Sequence, residues 1–465
     1  MPEATGTAPN TSAATVARPA AGRDGTGRGW LLGTLLAATA LGTISNNIVN
    51  VPLRRITADL GVPVTQGVLI ASASVLVLSV AMPLTGWVSD RLGRRRTLVL
   101  ALLILSTGTL GAALAPNLGL MVGSRALQGL GCAALPTAVM GMLARTFPPE
   151  QRSRVMGAWG AANGIGQAIG PPIGGFVADA FGWRAIFGGL VPITLGVLVL
   201  ALRVVPRDSG HDTRMNWTGA GSITVGVALL MTAATAAPQA GVPGWLPVLG
   251  AVLGAGALVV FVLTGLRSRA PFIDPRLLVE MRWLRSATAV FVQQGSLAAV
   301  LVAVPLYLTG VVGLSASVTG LIVFILPVVW AVLAPLVGVL ADRVGPRPVL
   351  RTGLGLLVVV DAGLGIVLGS GTHRLLPVIA LLLAAGAAIA LVQTPALTGA
   401  TRSPAGQRGT GLGLFNMMRF VGAASGTAAV AATWPDGLVW LFGGCAVVAV
   451  GGLVLSFLGR EMPDA

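Results

Sequence analysis

The sequence predicts an all-α polytopic membrane protein. Its 465 residues are 54% hydrophobic and only 10% charged, whereas soluble globular chains carry about 25% charged residues. Continuous apolar runs of about 18 residues or more, long enough for a helix to cross the hydrocarbon core, recur along almost the whole chain. Because these runs are continuous rather than alternating, they predict membrane-spanning helices and not a β-barrel.

Breaks at glycine, proline and charged clusters divide the chain into fourteen predicted spans. The short links around 93–96, 180–184 and 343–348 mark the boundaries most clearly. The predicted spans are 30–51, 66–90, 97–115, 118–143, 154–179, 184–204, 217–236, 245–266, 287–310, 316–341, 349–369, 375–398, 409–432 and 437–458.

The basic residues predict the orientation of these spans. All 30 are arginine, and the formal net charge is +15. With the N-terminus inside, 24 arginines fall on the cytoplasmic side and four on the other, while Arg125 and Arg419 fall within spans. This bias predicts an even number of spans and two cytoplasmic termini. The charge is therefore a topology signal, and we expect no nucleic-acid partner.

The N-terminal segment and the reactive side chains narrow the functional class. Residues 1–28 are rich in Ala, Thr, Gly and Pro, which predicts a disordered cytoplasmic tail and not a signal peptide. Cys132 and Cys445 fall in apolar runs, and both histidines fall in predicted loops. With no nucleophile constellation and no phosphate loop, we expect no enzyme, cofactor, disulfide or metal site.

One motif occurs twice. GWVSDRLGRRR at residues 86–96 and GVLADRVGPRP at 338–348 each follow a span to the predicted cytoplasmic side. The repetition predicts two halves of similar build. We expect an N-terminal six-helix bundle at 29–205, a linker with two extra spans at 206–285 and a C-terminal six-helix bundle at 286–460.

Three further motifs lie between the two copies: RALQGLG at 125–131, GIGQAIGPPIGG at 164–175 and GWRAIF at 182–187. In this order, over about residues 30–460, the chain resembles the major facilitator superfamily and within it the fourteen-span drug and proton antiporters. The resemblance implies the major facilitator fold, with two six-helix bundles and two additional central helices. It also implies a monomer in a bacterial plasma membrane that exchanges a small-molecule substrate for protons.

The first copy of the repeated motif is a candidate conformational latch. A carboxylate at Asp90 can pair with nearby arginines or with the N-terminus of another helix. The resemblance implies that this loop holds the outward-facing state, through Gly86, Asp90, Arg91, Gly93 and Arg94. Alternatively, its arginines serve only the positive-inside bias.

The fifth predicted span is a candidate antiporter motif. Its glycines recur every four residues and so share one helix face, which predicts close approach of a neighbouring helix. The resemblance implies that this segment seals the outer half against leakage, through Gly166, Gly170, Pro171, Gly174 and Gly175. Ordinary small-residue packing is the alternative reading.

Two charged residues inside spans are candidates for proton coupling. Asp361 lies about 18 Å along its span and is the only acid that the pattern places deep in the membrane. It could instead be peripheral and pair with an interhelical donor. The resemblance links Arg125 to proton transfer, and the alternative is a structural arginine held by carbonyls and Gln128. Ser45 stands where the family usually carries an acid.

Amides in the stretch ISNNIVNVP at 44–52 share one helix face and predict an uncharged, hydrogen-bonding cavity lining. The cavity candidates are Asn46, Asn47, Asn50, Gln293, Gln294, Gln393, Asn416 and Arg419. This lining favours a neutral or weakly charged ligand over a lipophilic cation. The leading hypothesis is proton-coupled export of small amphipathic molecules, and the alternative is an importer or uniporter on the same fold.

Overall fold

The computed structural model of the protein describes residues 25–49, 52–210, 215–237, 242–268, 270–371, 373–434 and 437–459. Within these ranges all regular structure is helical, with sixteen α-helices and two short 3₁₀ turns. The helices are α1 (Gly25–Asn47), α2 (Leu53–Asp59), α3 (Val64–Leu92), α4 (Arg94–Ala113), α5 (Leu118–Thr146), α6 (Arg152–Phe181), α7 (Trp183–Val204), α8 (Trp217–Ala236), α9 (Trp245–Arg267), α10 (Pro275–Leu278), α11 (Met281–Gly310), α12 (Ala316–Val344), α13 (Pro346–Gly369), α14 (Leu375–Arg402), α15 (Gly409–Thr433) and α16 (Leu438–Phe457).

The long helices follow the predicted spans closely. Every described helix of 20 residues or more coincides with one predicted span to within a few residues, so the all-α prediction is confirmed. Eleven of these helices are long and apolar enough to cross a membrane. The described helices α1, α6 and α15 fall outside that group because glycines and polar side chains interrupt their apolar sequence. A total of fourteen spans stays a prediction.

The structure corrects two boundaries near the N-terminus. Helix α1 already begins at Gly25, so the predicted tail 1–28 extends too far, and residues 1–24 lie outside the described ranges. Helix α1 ends at Asn47, before the predicted 51. The short helix α2 follows, and the sequence did not predict it because seven residues containing two arginines and an aspartate carry no span signal.

The helices pack into two groups. Helices α1 and α3–α7 contact one another, as do α11–α16. Between the groups, α3 packs against α15 and α6 against α12. Helix α8 packs on α9 and also contacts α3 and α15, so the extra pair lies beside the seam between the groups. The predicted division into halves at 29–205, 206–285 and 286–460 stays a prediction.

The repeated motif forms the same structure in both groups. Gly93 separates α3 from α4 with φ +87°, and Gly345 separates α12 from α13 with φ +89°. This left-handed conformation favours glycine because it has no Cβ. At each glycine the chain reverses direction, so the end of one helix, the start of the next and the arginines of the motif lie on the same side of the molecule. We refer to this end, where α3 and α12 end and α4, α6, α13 and α15 begin, as the arginine-rich end.

The opposite end is fastened by exposed polar contacts. Asp59 in α2 accepts hydrogen bonds from Arg184 and from the Trp183 indole, the latter at 3.1 Å. These bonds, Arg184 first, hold the pKa of Asp59 below its ordinary value. Arg55 also pairs with Asp179. Helix α2 is therefore held against the ends of α6 and α7.

Candidate functional site

A cavity of about 390 Å³ lies between the two helix groups. Helices α1, α3, α5 and α6 line it from one side, and α11 and α15 line it from the other. Its wall combines amides and hydroxyls with a larger apolar surface. The lining residues are Thr39, Gly42, Thr43, Asn46, Asn47, Val75, Leu78, Met82, Cys132, Leu135, Pro136, Asn163, Gln167, Gln294, Leu297, Ala298, Leu301, Val302, Arg419, Phe420, Ala423 and Thr427.

Four of the predicted cavity residues lie in this wall: Asn46, Asn47, Gln294 and Arg419. The Asn46 side-chain oxygen accepts a hydrogen bond from Ser74 at 3.2 Å, and the Asn47 amide donates to the Thr43 carbonyl at 2.9 Å. Both amides are thus partly satisfied within their own helix group. The predicted residue Asn50 lies outside the described residues.

Three predicted cavity residues lie behind the wall. The Gln293 amide donates to Gln294 at 3.0 Å, and the Asn416 amide donates to the Leu412 carbonyl at 2.9 Å. Gln393 is fully buried in α14. None of the three is part of the lining. Helix periodicity placed them in spans but did not reveal which face meets the cavity.

The sequence reasoning missed Asn163 and Gln167 on α6, which line the cavity and hydrogen bond to each other at 3.2 Å. The sequence did contain a signal for these two residues. Four residues apart, they lie on the same face of the helix as Gly166 and Gly170, the face predicted to meet another helix. A polar pair beside that glycine row could have been added to the cavity candidates.

Arg125 is buried and fully occupied by hydrogen bonds to neutral groups. Its Nη1 donates to the Ser45 carbonyl at 2.9 Å and to Gln128 at 2.7 Å. Its Nη2 donates to the Asn46 carbonyl at 3.2 Å and to Ser74 at 2.8 Å. The carbonyls of residues 45 and 46 lie in the last turn of α1, where helix carbonyls lack partners and carry partial negative charge. The guanidinium therefore caps α1, as the structural alternative supposed.

Arg419 is almost as deeply buried as Arg125, but its guanidinium makes far fewer hydrogen bonds. Its Nη1 donates to Asn416 at 3.2 Å, and its guanidinium lies 5.2 Å from the centre of the Trp159 ring. Its Nε is buried and has no partner in the described part of the chain. Because Arg419 belongs to α15 and Trp159 to α6, this stacking joins the two helix groups at the cavity wall.

Asp361 lies apart from the cavity. Its Oδ1 accepts a hydrogen bond from Ser296 at 2.5 Å, and its Oδ2 is buried with no partner among the residues that the structure describes. Ser296 is on α11, two residues beyond the lining residue Gln294. Asp361 is fully buried and paired with a donor on the cavity-lining helix α11, but it is not itself part of the described lining, and its role in proton coupling stays a prediction.

Asp90 joins the two groups at the arginine-rich end. Its carboxylate accepts hydrogen bonds from the backbone amides of Gly409 at 2.6 Å and Thr410 at 3.1 Å, the first residues of α15. It also accepts from the Thr410 hydroxyl at 3.1 Å. A Cβ at Gly86 would clash with the Gly409 backbone, so the glycine permits this close approach. A carboxylate at a helix N-terminus is favoured by the exposed amides and the helix dipole.

The second copy of the motif makes the equivalent contact. Asp342 accepts hydrogen bonds from the amides of Ser153 at 3.0 Å and Arg154 at 2.9 Å, at the start of α6. A Cβ at Gly338 would lie 2.6 Å from the Ser153 carbonyl oxygen. The repeat therefore builds two matching interhelical caps, each of which runs from one helix group to the other.

The predicted latch arginines have different surroundings. Arg94 is buried, and its side chain donates to the Gln407 carbonyl across the seam at 3.4 Å. The backbone amide of Arg94 donates to Asp208 at 2.7 Å, a cap from the chain after α7. Arg91 is exposed and lies 5.1 Å from the centre of the Trp87 ring. Arg94 thus contacts the other helix group, whereas Arg91 contacts its own helix.

The glycine face of α6 packs against α1. A Cβ at Gly166 would lie 2.7 Å from Thr43 Cβ, and one at Gly174 would clash with the Ile48 carbonyl oxygen. Gly170 is less tightly placed, with 3.4 Å to Asn47 Cβ. Pro171 lies inside α6 beside this row, and Gly175 is half-buried. The predicted close approach is therefore present, with α1 as the neighbour.

A model of the Major Facilitator Superfamily matches residues 31–427 and, in a second match, residues 286–465. The chain belongs to this superfamily. An uncharacterized MFS-type transporter of Mycobacterium tuberculosis, Rv1250, is 30% identical over 84% of this chain and 67% of its own length. The uncharacterized MFS-type transporter YhcA of Bacillus subtilis is 30% identical over 71% of this chain and 62% of its own length.

A relative that is named a multidrug resistance protein and a solved structure agree with this membership. The multidrug resistance protein Stp of Mycobacterium tuberculosis is 29% identical over 86% of this chain and 76% of its own length. The human organic anion transporter MFSD10 superposes with a TM-score of 0.68 at 18% identity, over 93% of this chain and all of that one. At this identity the likeness shows the fold alone. The protein is thus a multi-pass membrane transporter and not an enzyme.

Proposed function

We propose that the protein exports small amphipathic molecules from the cytoplasm of a bacterium in exchange for protons, by alternating access between its two helix groups. The observation that carries the proposal is the cavity between the groups together with the paired caps that close one end of it. Relatives that are named multidrug resistance proteins support a drug-like substrate, and a relative named as a drug efflux pump supports export.

The geometry supports an outward-facing state. Asp90 and Asp342 cap helices of the opposite group at the arginine-rich end, while the cavity wall continues along α15 to the exposed Thr427. Thr427 lies 18 residues, or about 27 Å, from the α15 N-terminus. If the arginine-rich end is cytoplasmic, as the positive-inside bias predicts, substrate would leave toward the outside.

Proton coupling is proposed to use Asp361, with Arg125 in a structural role. No Asp or Glu is present among the described residues that line the cavity, so substrate and proton cannot compete there for one carboxylate. A buried carboxyl oxygen without a partner is suited to hold a proton. Ser296 on the cavity-lining helix α11 would transmit the protonation state of Asp361 to the cavity wall.

Accumulation of an antibiotic panel in a sensitive host tests this function. Cells that express the protein should accumulate less of at least one compound than cells with the empty vector, and a protonophore should abolish the difference. Higher accumulation on expression would instead favour an importer. A difference that survives the protonophore would contradict proton coupling.

A further inference from the structure

We propose that the cavity takes an amphipathic organic monoanion, of the carboxylate class, whose acidic group pairs with Arg419. This inference deepens the proposed function and rests on it, because it names the substrate class of the same cavity. It concerns the one charged side chain in the described wall.

The inference is based on the difference in hydrogen bonding between Arg419 and Arg125. Both arginine residues are almost completely buried, Arg419 at 3% exposure and Arg125 at 1%. Arg125 uses all three of its nitrogens in hydrogen bonds and belongs to the frame of its helix group. Arg419 uses only Nη1 among the described residues, which leaves the edge formed by Nε and Nη2 unbonded. A buried charge without a partner is unfavourable, and an incoming anion would supply the partner.

The surroundings of Arg419 fix its guanidinium for such pairing. The Trp159 ring covers one side at 5.2 Å, and Asn416 holds Nη1. The unbonded edge of the planar guanidinium, formed by Nε and Nη2, has the geometry to donate two parallel hydrogen bonds to the two oxygens of a carboxylate. Pairing there would also act on both helix groups, since Arg419 and Trp159 belong to different groups.

The rest of the wall sets the size, the charge and the polarity of the ligand. A volume of about 390 Å³ is that of a small-molecule site. One cation and no acid in the described lining balance one negative charge, and a cationic ligand would meet Arg419 without any compensating carboxylate. Leu78, Leu301 and Phe420 offer an apolar surface for the body of the ligand.

Three probes that share a 1-naphthylmethyl group separate the charge from the apolar body: 1-naphthylacetate (the acetate), 1-naphthylacetamide (the acetamide, which matches the acetate in shape) and 1-naphthylmethylammonium (the ammonium). Binding to the purified full-length protein is measured by calorimetry. The acetate should bind at least about tenfold more tightly than the acetamide, and the ammonium most weakly, because a hydrogen-bonded charge pair outweighs a neutral contact.

Variants of Arg419 assign the preference to this side chain. Arg419→Gln should weaken acetate binding to the level of the acetamide and change acetamide binding less than about twofold. Arg419→Lys should retain part of the preference, because it keeps the charge and loses the fork, and it also serves if Arg419→Gln does not fold. Arg207→Gln, the same change at an exposed loop residue, should have no effect.

A wild-type protein that binds none of the probes, or binds acetate and acetamide equally, overturns the inference, as does an acetate preference that survives Arg419→Gln. The binding measurement and the export measurement test the two proposals independently. An acetate preference without any export in cells would contradict the proposed function alone, whereas export of cationic drugs that is unchanged by Arg419→Gln would contradict the anion site alone.

Discussion

At the scale of single residues, two buried arginines that form no salt bridge within the described ranges differ in how fully they are hydrogen-bonded. Arg125 has no carboxylate partner among the described residues, and its hydrogen bonds to carbonyls, a hydroxyl and an amide tie α1, α3 and α5 together. Arg419 is only partly bonded and borders the cavity. The number of hydrogen bonds that an intramembrane arginine makes therefore distinguishes a structural residue from a binding candidate.

Replacement of Arg125 should destabilise the protein more than replacement of any exposed arginine. Arg125→Ala leaves the carbonyls of Ser45 and Asn46 buried without donors, at a cost of about 1–3 kcal/mol each. Thermal unfolding in detergent should show a clearly lower Tm, whereas Arg207→Ala should leave the Tm unchanged. An unaltered Tm for Arg125→Ala would refute its capping role.

Asp361→Asn tests the proposed proton carrier. The amide keeps the size of the side chain and can still accept the Ser296 hydrogen bond through its oxygen, so the variant should fold and insert. Substrate-induced proton movement in everted vesicles should be abolished, because an amide cannot take up a proton in this pH range. Asp274→Asn, in the chain before α10, is the control. Wild-type proton flux in Asp361→Asn would eliminate Asp361 as the carrier.

At the scale of helices, the glycine row of α6 determines how closely α1 approaches. Gly174→Ala should destabilise the protein, because the new Cβ would clash with the Ile48 carbonyl oxygen, which is backbone and cannot turn aside. Gly170→Ala, in the same motif, meets only ordinary contact at 3.4 Å and should be tolerated. Tm and export activity of the two variants give the comparison. Equal behaviour would show that close packing with α1 is not what the motif provides.

Sequence patterns predicted elements whose signal is local. The long helices followed from apolar runs, and the link at Gly93 followed from a glycine between charged clusters. Side-chain partners were not predictable in this way. Ser296 lies 65 positions from Asp361, so their hydrogen bond depends on how α11 packs against α13. For the same reason, periodicity could not separate the wall residue Gln294 from its buried neighbour Gln293.

At the scale of the whole molecule, the internal repeat creates a symmetric closure. The first group caps α15 with Asp90, and the second group caps α6 with Asp342. Each cap contributes about 1 kcal/mol to the closed state. Together, at about 2 kcal/mol, they would shift an equilibrium between two conformations by about 30-fold. In the alternating access that we propose, such a small energy would allow the groups to separate in each transport cycle.

A cysteine introduced at Ala423, a half-buried position of the cavity wall on α15, would report on this closure. With Cys132 and Cys445, the chain's two native cysteines, replaced by serine, the most direct measurement is the rate at which a membrane-impermeant maleimide labels the Ala423→Cys protein from each side of the membrane. This protein should be labelled mainly from outside. Asp90→Asn with Asp342→Asn should raise cytoplasmic labelling at least about tenfold, whereas Asp274→Asn should not. Labelling of the Ala423→Cys protein mainly from the cytoplasm, or no change when both aspartates are replaced in it, would contradict alternating access controlled by the paired caps.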